Sequence, residues 1–402
     1  MSITASLLKS LPDPYLPPPV DSALLPLAQS ADLTLVPASG PEYVQTAYLN
    51  AVAWKGPLNM HQYLEREVQL QSVALTKDGR ITCWILTSSA LPPNPDGTRP
   101  ILASCESIVM SAYIAQAGRL QRVQVHGIGS VYTRPEYRGK GYAGRMMADL
   151  GKRLETWQQN DGQKNAYSVL YSDIGRKYYA QFGWKPHDST HIHLPPLERG
   201  EYEKAAKSLP SVQDLSSEDL RNLPTVRYAE EELQRSSTKE PEATFTAICP
   251  DVDHFEWHHS REEYLTKLRG SRQPIVKGAV HRDTGLALVW SLRYAKQPKD
   301  WQVALLHTVI PSNIDPSEAN QQIFAALLLR CQVEAADWDM GGGVDIWDPS
   351  ELVVAAAQLL RTHDQPEVKV ITRDKEHICS LRLEDSQEHD PVWIFKQEYA
   401  WC

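Results

Sequence analysis

Between Arg134 and Met147 the chain reads RPEYRGKGYAGRMM, three glycines and four cations set between a β-rich stretch and a helix. The stretch before it, RLQRVQVHGIGSVYT (119–133), is interrupted by Gly127 and Gly129, and glycine inside a strand marks a bulge, a bend or a ligand close to the backbone. The segment after it, AGRMMADLGKRLETWQQ, places Met146, Met147, Leu150 and Leu154 at helical spacing. A glycine-rich turn between strand and helix leaves several backbone N–H groups pointing outward at the positive end of the helix dipole, an arrangement that binds phosphate. Arg138 and Lys140 add charge, and Gly139, Gly141 and Gly144 admit a diphosphate close to the backbone. The string lacks both the GxxxxGK[ST] order of a nucleotide-hydrolysing loop and the GxGxxG order of a dinucleotide fold.

The rest of the chain reads as alternating elements. Residues 1–30 are proline-rich extended chain, ADLTLVPAS (31–39) is a strand, and residues 40–72 form two helices separated at Gly56-Pro57. Strands follow at 81–89 and from 101, then the glycine string and its helix, a strand at 166–175, and a short helix RKYYAQFGW stopped by Gly183. From Gln302 onward the order strand, helix, strand, helix, strand returns without a counterpart of RGKGYA, as in a degenerate duplicate. The expected fold class is therefore mixed α+β or α/β in two units, residues 1–200 and 226–402, joined by a linker at 201–225.

The formal net charge of −9 and pI near 5.8 argue against non-specific nucleic-acid or anionic-membrane binding and are compatible with a cationic substrate. No apolar run is long enough to span a membrane, and the start does not read as a signal peptide. The six cysteines form no CxxC pair, so reduced thiols in a cytoplasmic protein are expected, with no metal. Oligomeric state is not legible.

Arg138-x-x-Gly141-x-Ala143 resembles the acetyl-CoA signature of the GCN5-related N-acetyltransferases (GNAT), and SVYTRPEY upstream and YYAQFGW downstream are similar to that family's flanking elements. SCES (104–107), SVLYSDIGRKYYAQFGW (168–184) and the closing EYAWC more narrowly resemble the fungal lysine N6-acetyltransferases, although IVM follows SCES where that family is expected to carry cations. The resemblance implies a GNAT fold, acetyl-CoA as co-substrate, and transfer to a small-molecule amine, with the side-chain amine of free L-lysine the first candidate. Other amines and a non-catalytic acyl-CoA-binding role are the alternatives. It further implies that Ser130, Val131 and Tyr132 pair with the pantetheine arm. Arg138, Gly139, Lys140, Gly141, Tyr142 and Ala143 hold the diphosphate, and Tyr179, with Tyr178 as rival, protonates the leaving thiolate.

For the base, His126 is titratable near neutral pH. Glu106 in an apolar strand is a second candidate, as base or as partner of the substrate ammonium. Asp173 either caps a helix near Gly175 or contacts substrate. The aromatic end WIFKQEYAWC is expected to be buried, and by analogy with N-myristoyltransferases the Cys402 carboxylate is a candidate group at the amine site. The histidine pair in FEWHHSREEY reads as structural, before a helix starting near Ser260.

Overall fold

A computed structural model describes residues 16–159, 165–360, 368–383 and 390–401. In chain order its elements are β1 (Leu33–Pro37), α1 (Gly40–Trp54), α2 (Met60–Leu70), β2 (Ile81–Ser88), β3 (Ala103–Gln116), β4 (Arg119–Tyr132), α3 (Tyr142–Leu154), β5 (Tyr167–Ser172), β6 (Lys185–Pro186) and β7 (Thr190–Leu194). They continue with α4 (Arg199–Ala205), β8 (Gln213–Leu215), α5 (Ser217–Arg221), α6 (Thr225–Lys239), β9 (Phe245–Ile248), α7 (Val252–Leu268), β10 (Gly278–His281), β11 (Leu286–Arg293) and β12 (Gln302–Val309). Last come α8 (Glu318–Asp337), β13 (Val344–Trp347), α9 (Glu351–Leu359), β14 (Ile371–Thr372), β15 (Ile378–Leu383) and β16 (Val392–Trp393).

Two sheets result. The first runs β1-β2-β3-β4-β5-β15-β6, with β9 on the far end of long β3 and β16 on β9; the second runs β14-β7-β13-β12-β11-β10-β8. The expected boundaries are crossed in both directions. β7, from the N-terminal unit, pairs with β13 in the second sheet, and β8, from the expected linker, pairs with β10 there. β15, from the C-terminal unit, sits between β5 and β6 in the first. The sheets also share a core: Ile108 and Met110 of β3, Phe255 of α7, and Val289 and Leu306 of β11 and β12 lie in one buried cluster. Among the described residues no helix is long and apolar enough to cross a membrane.

Local chemistry fixes the helices that matter for the site. Ser39 and Glu42 close a reciprocal capping box at the start of α1, and Asn59 and Gln62 do the same for α2. α7 begins at Val252, where Asp251 accepts from the His254 N–H, and not near Ser260 as expected. The aspartate cap outcompetes the later serine, and the histidine pair falls mid-helix. There His258 and His259 each bond a backbone carbonyl, of Tyr399 and Trp290. The expected short helix at 176–184 reduces to a single 3₁₀ turn, Tyr179–Phe182, ended by left-handed Gly183.

Candidate active site

The site is built outward from an irregularity in β4. Glu106 on β3 lies opposite Gly129, and Ser104 lies opposite Tyr132, so Ser130 and Val131 together oppose Cys105. This is a β-bulge. Ser130 absorbs the extra residue at φ 53°, a left-handed conformation that costs a non-glycine residue roughly 1–3 kcal/mol. The bulge aims the Ser130 hydroxyl at Glu106, donating to Oε2 at 2.5 Å, while the Tyr43 hydroxyl from α1 donates to Oε1 at 2.7 Å. On its other edge β4 runs parallel to β5 only through Ile128 opposite Leu170. Residues 129–132 continue without a β5 partner, and a cavity of about 210 Å³ opens at this fork. One water takes about 10–15 Å³ on this scale, so the space suits a small organic molecule.

Glu106, Ser130, Val131, Asp173 and Tyr179 all line the cavity. Burial raises the Glu106 pKa, and the nearby Glu67 charge adds to the rise against the two hydroxyl hydrogen bonds. Tyr179 is 9% exposed, and its hydroxyl bonds to no other group among the described residues. Burial pushes its phenol up, which keeps it protonated at neutral pH. Tyr178, its rival, packs edge-on against Tyr179 and lies outside the cavity lining.

Asp173 caps no helix, because the chain bends there. Its Oδ1 instead accepts from the His377 backbone N–H at 3.1 Å and lies 3.2 Å from the ring Nδ1. Burial alone would raise the Asp173 pKa, but the His377 bonds outweigh it and the pKa is lowered.

His126 is not brought to the cavity. Glu106 shares its sheet face with Gly129, and Gly127 lies on that same face; His126 is one residue out of step and points to the other face. There it is fully buried, its Nε2 3.2 Å from the Trp157 carbonyl, and burial pushes its pKa down to about 4. Cys402 lies outside the described residues. Its neighbour Trp401 lines the cavity, following the buried Tyr399 and Ala400.

At the other end of the fork, the glycine string forms a short 3₁₀ turn, Pro135–Tyr137, and then two left-handed glycines, Gly139 (φ 75°) and Gly141 (φ 84°), before α3. The first helical bond runs from the Arg145 N–H to the Gly141 carbonyl, so the N–H groups of Tyr142, Ala143 and Gly144 have no partner within the helix. A Cβ at Gly139 would meet nothing within 4 Å, and Arg138 and Lys140 are exposed. The N-terminal segment braces this turn: Tyr142 donates to the Pro26 carbonyl, Arg134 to Pro17, and Arg145 to Ala28 and Ser30. The residues present fit a diphosphate. Tyr132 itself is buried, with Arg138 over its ring. No group of three or more potential metal-ligating side chains occurs among the described residues.

Sequence reading missed the opposite wall. α2 contributes Tyr63, Arg66, Glu67 and Leu70, spaced to share one helix face, and α7 contributes Trp257 and Arg261, one turn apart. The signal was available as two charges at inward positions of α2. It was hidden because charge at such a position ordinarily reads as a solvated face.

A family model described as the LYC1 GNAT-like C-terminal domain matches residues 191–402, and a second, an acetyltransferase (GNAT) domain, matches residues 106–187. The chain is similar to an uncharacterized protein of Saccharomyces cerevisiae, 27% identical over 60% of this chain and 66% of that one. It is also similar to a protein of Yarrowia lipolytica named lysine acetyltransferase, 24% identical over 62% of this chain and 70% of that one. The chain thus spans about two-thirds of the length of these relatives. Among solved structures, Saccharomyces cerevisiae N-myristoyltransferase shares the fold, with a TM-score of 0.50 at 10% identity, covering 92% of this chain and 83% of that one.

Proposed function

Because the chain belongs to the LYC1-like branch of the GNAT family, we propose that it is an N-acetyltransferase that moves the acetyl group of acetyl-CoA to the amine of a small molecule. The side-chain amine of free L-lysine is the first candidate, on the strength of the name carried by the Yarrowia relative. The observation that carries the reading is Glu106, held on both oxygens at the fork of β4 and β5, in one cavity with Tyr179.

Acetyl-CoA supplies an acyl group already activated as a thioester. The N-terminal N–H groups of α3 and the side chains of Arg138 and Lys140 hold its diphosphate, and Ser130, Val131 and Tyr132 run beside its pantetheine arm. Glu106 accepts the proton that the substrate ammonium must lose before nitrogen can attack. Its raised pKa makes it a stronger base than an exposed carboxylate. Backbone N–H groups freed where β4 and β5 part stabilise the developing oxyanion. Tyr179 donates its proton to the departing sulfur. Each proton therefore has an acceptor or donor in the cavity, and no covalent enzyme intermediate is needed.

The direct test is thiol release from acetyl-CoA across a panel of amines, with L-lysine first. Absence of thiol release with every amine, while acetyl-CoA still raises the melting temperature, would sink the catalytic reading. Tyr179→Phe is expected to lower kcat by about 100-fold, at the lower end for a lost general acid, with acetyl-CoA affinity nearly unchanged; calorimetric titration separates the two. Gly141→Val is expected to raise KM for acetyl-CoA by roughly tenfold, about 1.4 kcal/mol. Its Cβ would sit 3.1 Å from that of Ala28 and would force a left-handed φ on a branched residue. An unchanged KM would remove the diphosphate from this turn.

A further inference from the structure

We infer that Arg261 is the specificity-determining residue of this cavity, holding a carboxylate carried by the same molecule as the reacting amine. The inference rests on the acetyltransferase reading and narrows its substrate to an amino acid with a side-chain amine. It comes from a charge inventory of the lining. Arg66 is committed to Glu67, its Nε and Nη2 donating to Oε1 at 3.0 and 2.6 Å, with its guanidinium 4.7 Å from the Tyr63 ring centre. Asp173 is committed to His377, and Glu106 to Tyr43 and Ser130. Arg261 lines the same cavity and has no ion-pair partner among the described residues; its guanidinium lies over the Trp401 ring, 5.4 Å from the ring centre.

A half-buried guanidinium facing an aromatic wall, with the nearby Glu67 carboxylate bonded to Arg66 and no carboxylate hydrogen-bonded to it among the described residues, is an unfavourable arrangement. A planar carboxylate relieves it with two parallel hydrogen bonds. Burial, and then the like charge of Arg66, hold the Arg261 pKa down to about 10, so the group is still a cation at neutral pH. Trp257 and Trp401 supply apolar walls beside it, suited to a methylene chain. A cation on α7 and a basic carboxylate on β3 then select a molecule with an anion at one end and an amine at the other. A diamine would bring its second ammonium toward Arg261 and be repelled.

The test separates binding from turnover. L-Norleucine carries the α-carboxylate and α-ammonium but no side-chain amine, and its binding is followed by tryptophan fluorescence and calorimetry. The wild type is expected to bind it, Arg261→Met to weaken it by about 10–100-fold, and Arg261→Lys to recover part of the loss. Cadaverine, which lacks the carboxylate, is expected to be a much poorer acetyl acceptor than L-lysine in the wild type and to improve relative to L-lysine in Arg261→Met, which removes the repelling cation. Failure of the wild type to bind L-norleucine, equal binding by a folded Arg261→Met protein, or equal use of cadaverine and L-lysine would overturn the inference while leaving acetyl transfer intact. Arginine-dependent L-norleucine binding with no thiol release from any amine would support the carboxylate site and refute the acetyltransferase reading.

Discussion

Replacing Glu106 by glutamine is expected to slow acetyl transfer by about 100- to 10,000-fold, the range for removal of a positioned general base. Glutamine keeps the shape, and the Tyr43 and Ser130 hydroxyls can rotate to suit an amide, so the fold is retained. The wild-type pH profile should rise with pH as Glu106 loses its proton, with a midpoint above the ordinary glutamate value because burial, aided by Glu67, raises it. In the variant that limb should disappear. Stability should move the other way. A carboxyl whose folded pKa is raised holds its proton longer in the folded state than in the unfolded one. Folding therefore loses stability as pH climbs from the unfolded pKa to the folded one, and the loss persists above it. Glu106→Gln removes that penalty and should melt no lower than the wild type at pH 7. Full activity, or loss of activity tracking loss of fold, would remove Glu106 from the mechanism.

The second large effect is structural. Gly343, just before β13, has φ 69°, and a Cβ there would lie 2.2 Å from the Leu194 carbonyl oxygen of β7. Leu194 pairs with Val344 at the seam where the N-terminal half enters the second sheet. Gly343→Ala combines a left-handed penalty of about 1–2 kcal/mol with an overpacking penalty of about 1–3 kcal/mol. A loss of about 2–5 kcal/mol in denaturant unfolding is expected. A loss under about 1 kcal/mol would mean that the seam relaxes freely, against close packing of the interior.

The strand, glycine turn and helix at 119–154 were legible because each is written locally: alternation, glycine spacing and helical periodicity sit in one short window. The GNAT fold followed from the resemblance of Arg138-x-x-Gly141-x-Ala143 and its flanks to that family, and a second GNAT-like half from the returning order of strands and helices. Strand exchange was not legible, since nothing in ICSLRL says that it pairs with residues 167–172 rather than with its neighbours in sequence. His126 and Glu106 show the same limit at a single site. Both are titratable residues on adjacent strands, and which faces the cavity depends on the register of the β3–β4 hairpin, which runs unbroken from Gln116 opposite Arg119 to Glu106 opposite Gly129. Arg261 and Glu67 reach the cavity only through the packing of α2 and α7, which are far apart in the chain.

The placement of β15 also governs when the protein can become itself during synthesis. Ser172 pairs with Ile378, roughly 200 positions later, so at 5–20 residues per second a ribosome needs on the order of 10–40 s after making β5 before its partner exists. Throughout that interval one edge of the first sheet is an open hydrogen-bonding template, and Trp401 is still unmade. A nascent chain cannot acquire a working cavity piecemeal; it waits, edge exposed, for the second half, and shielding by chaperones in that window should matter more here than for a protein whose sheets close in sequence order.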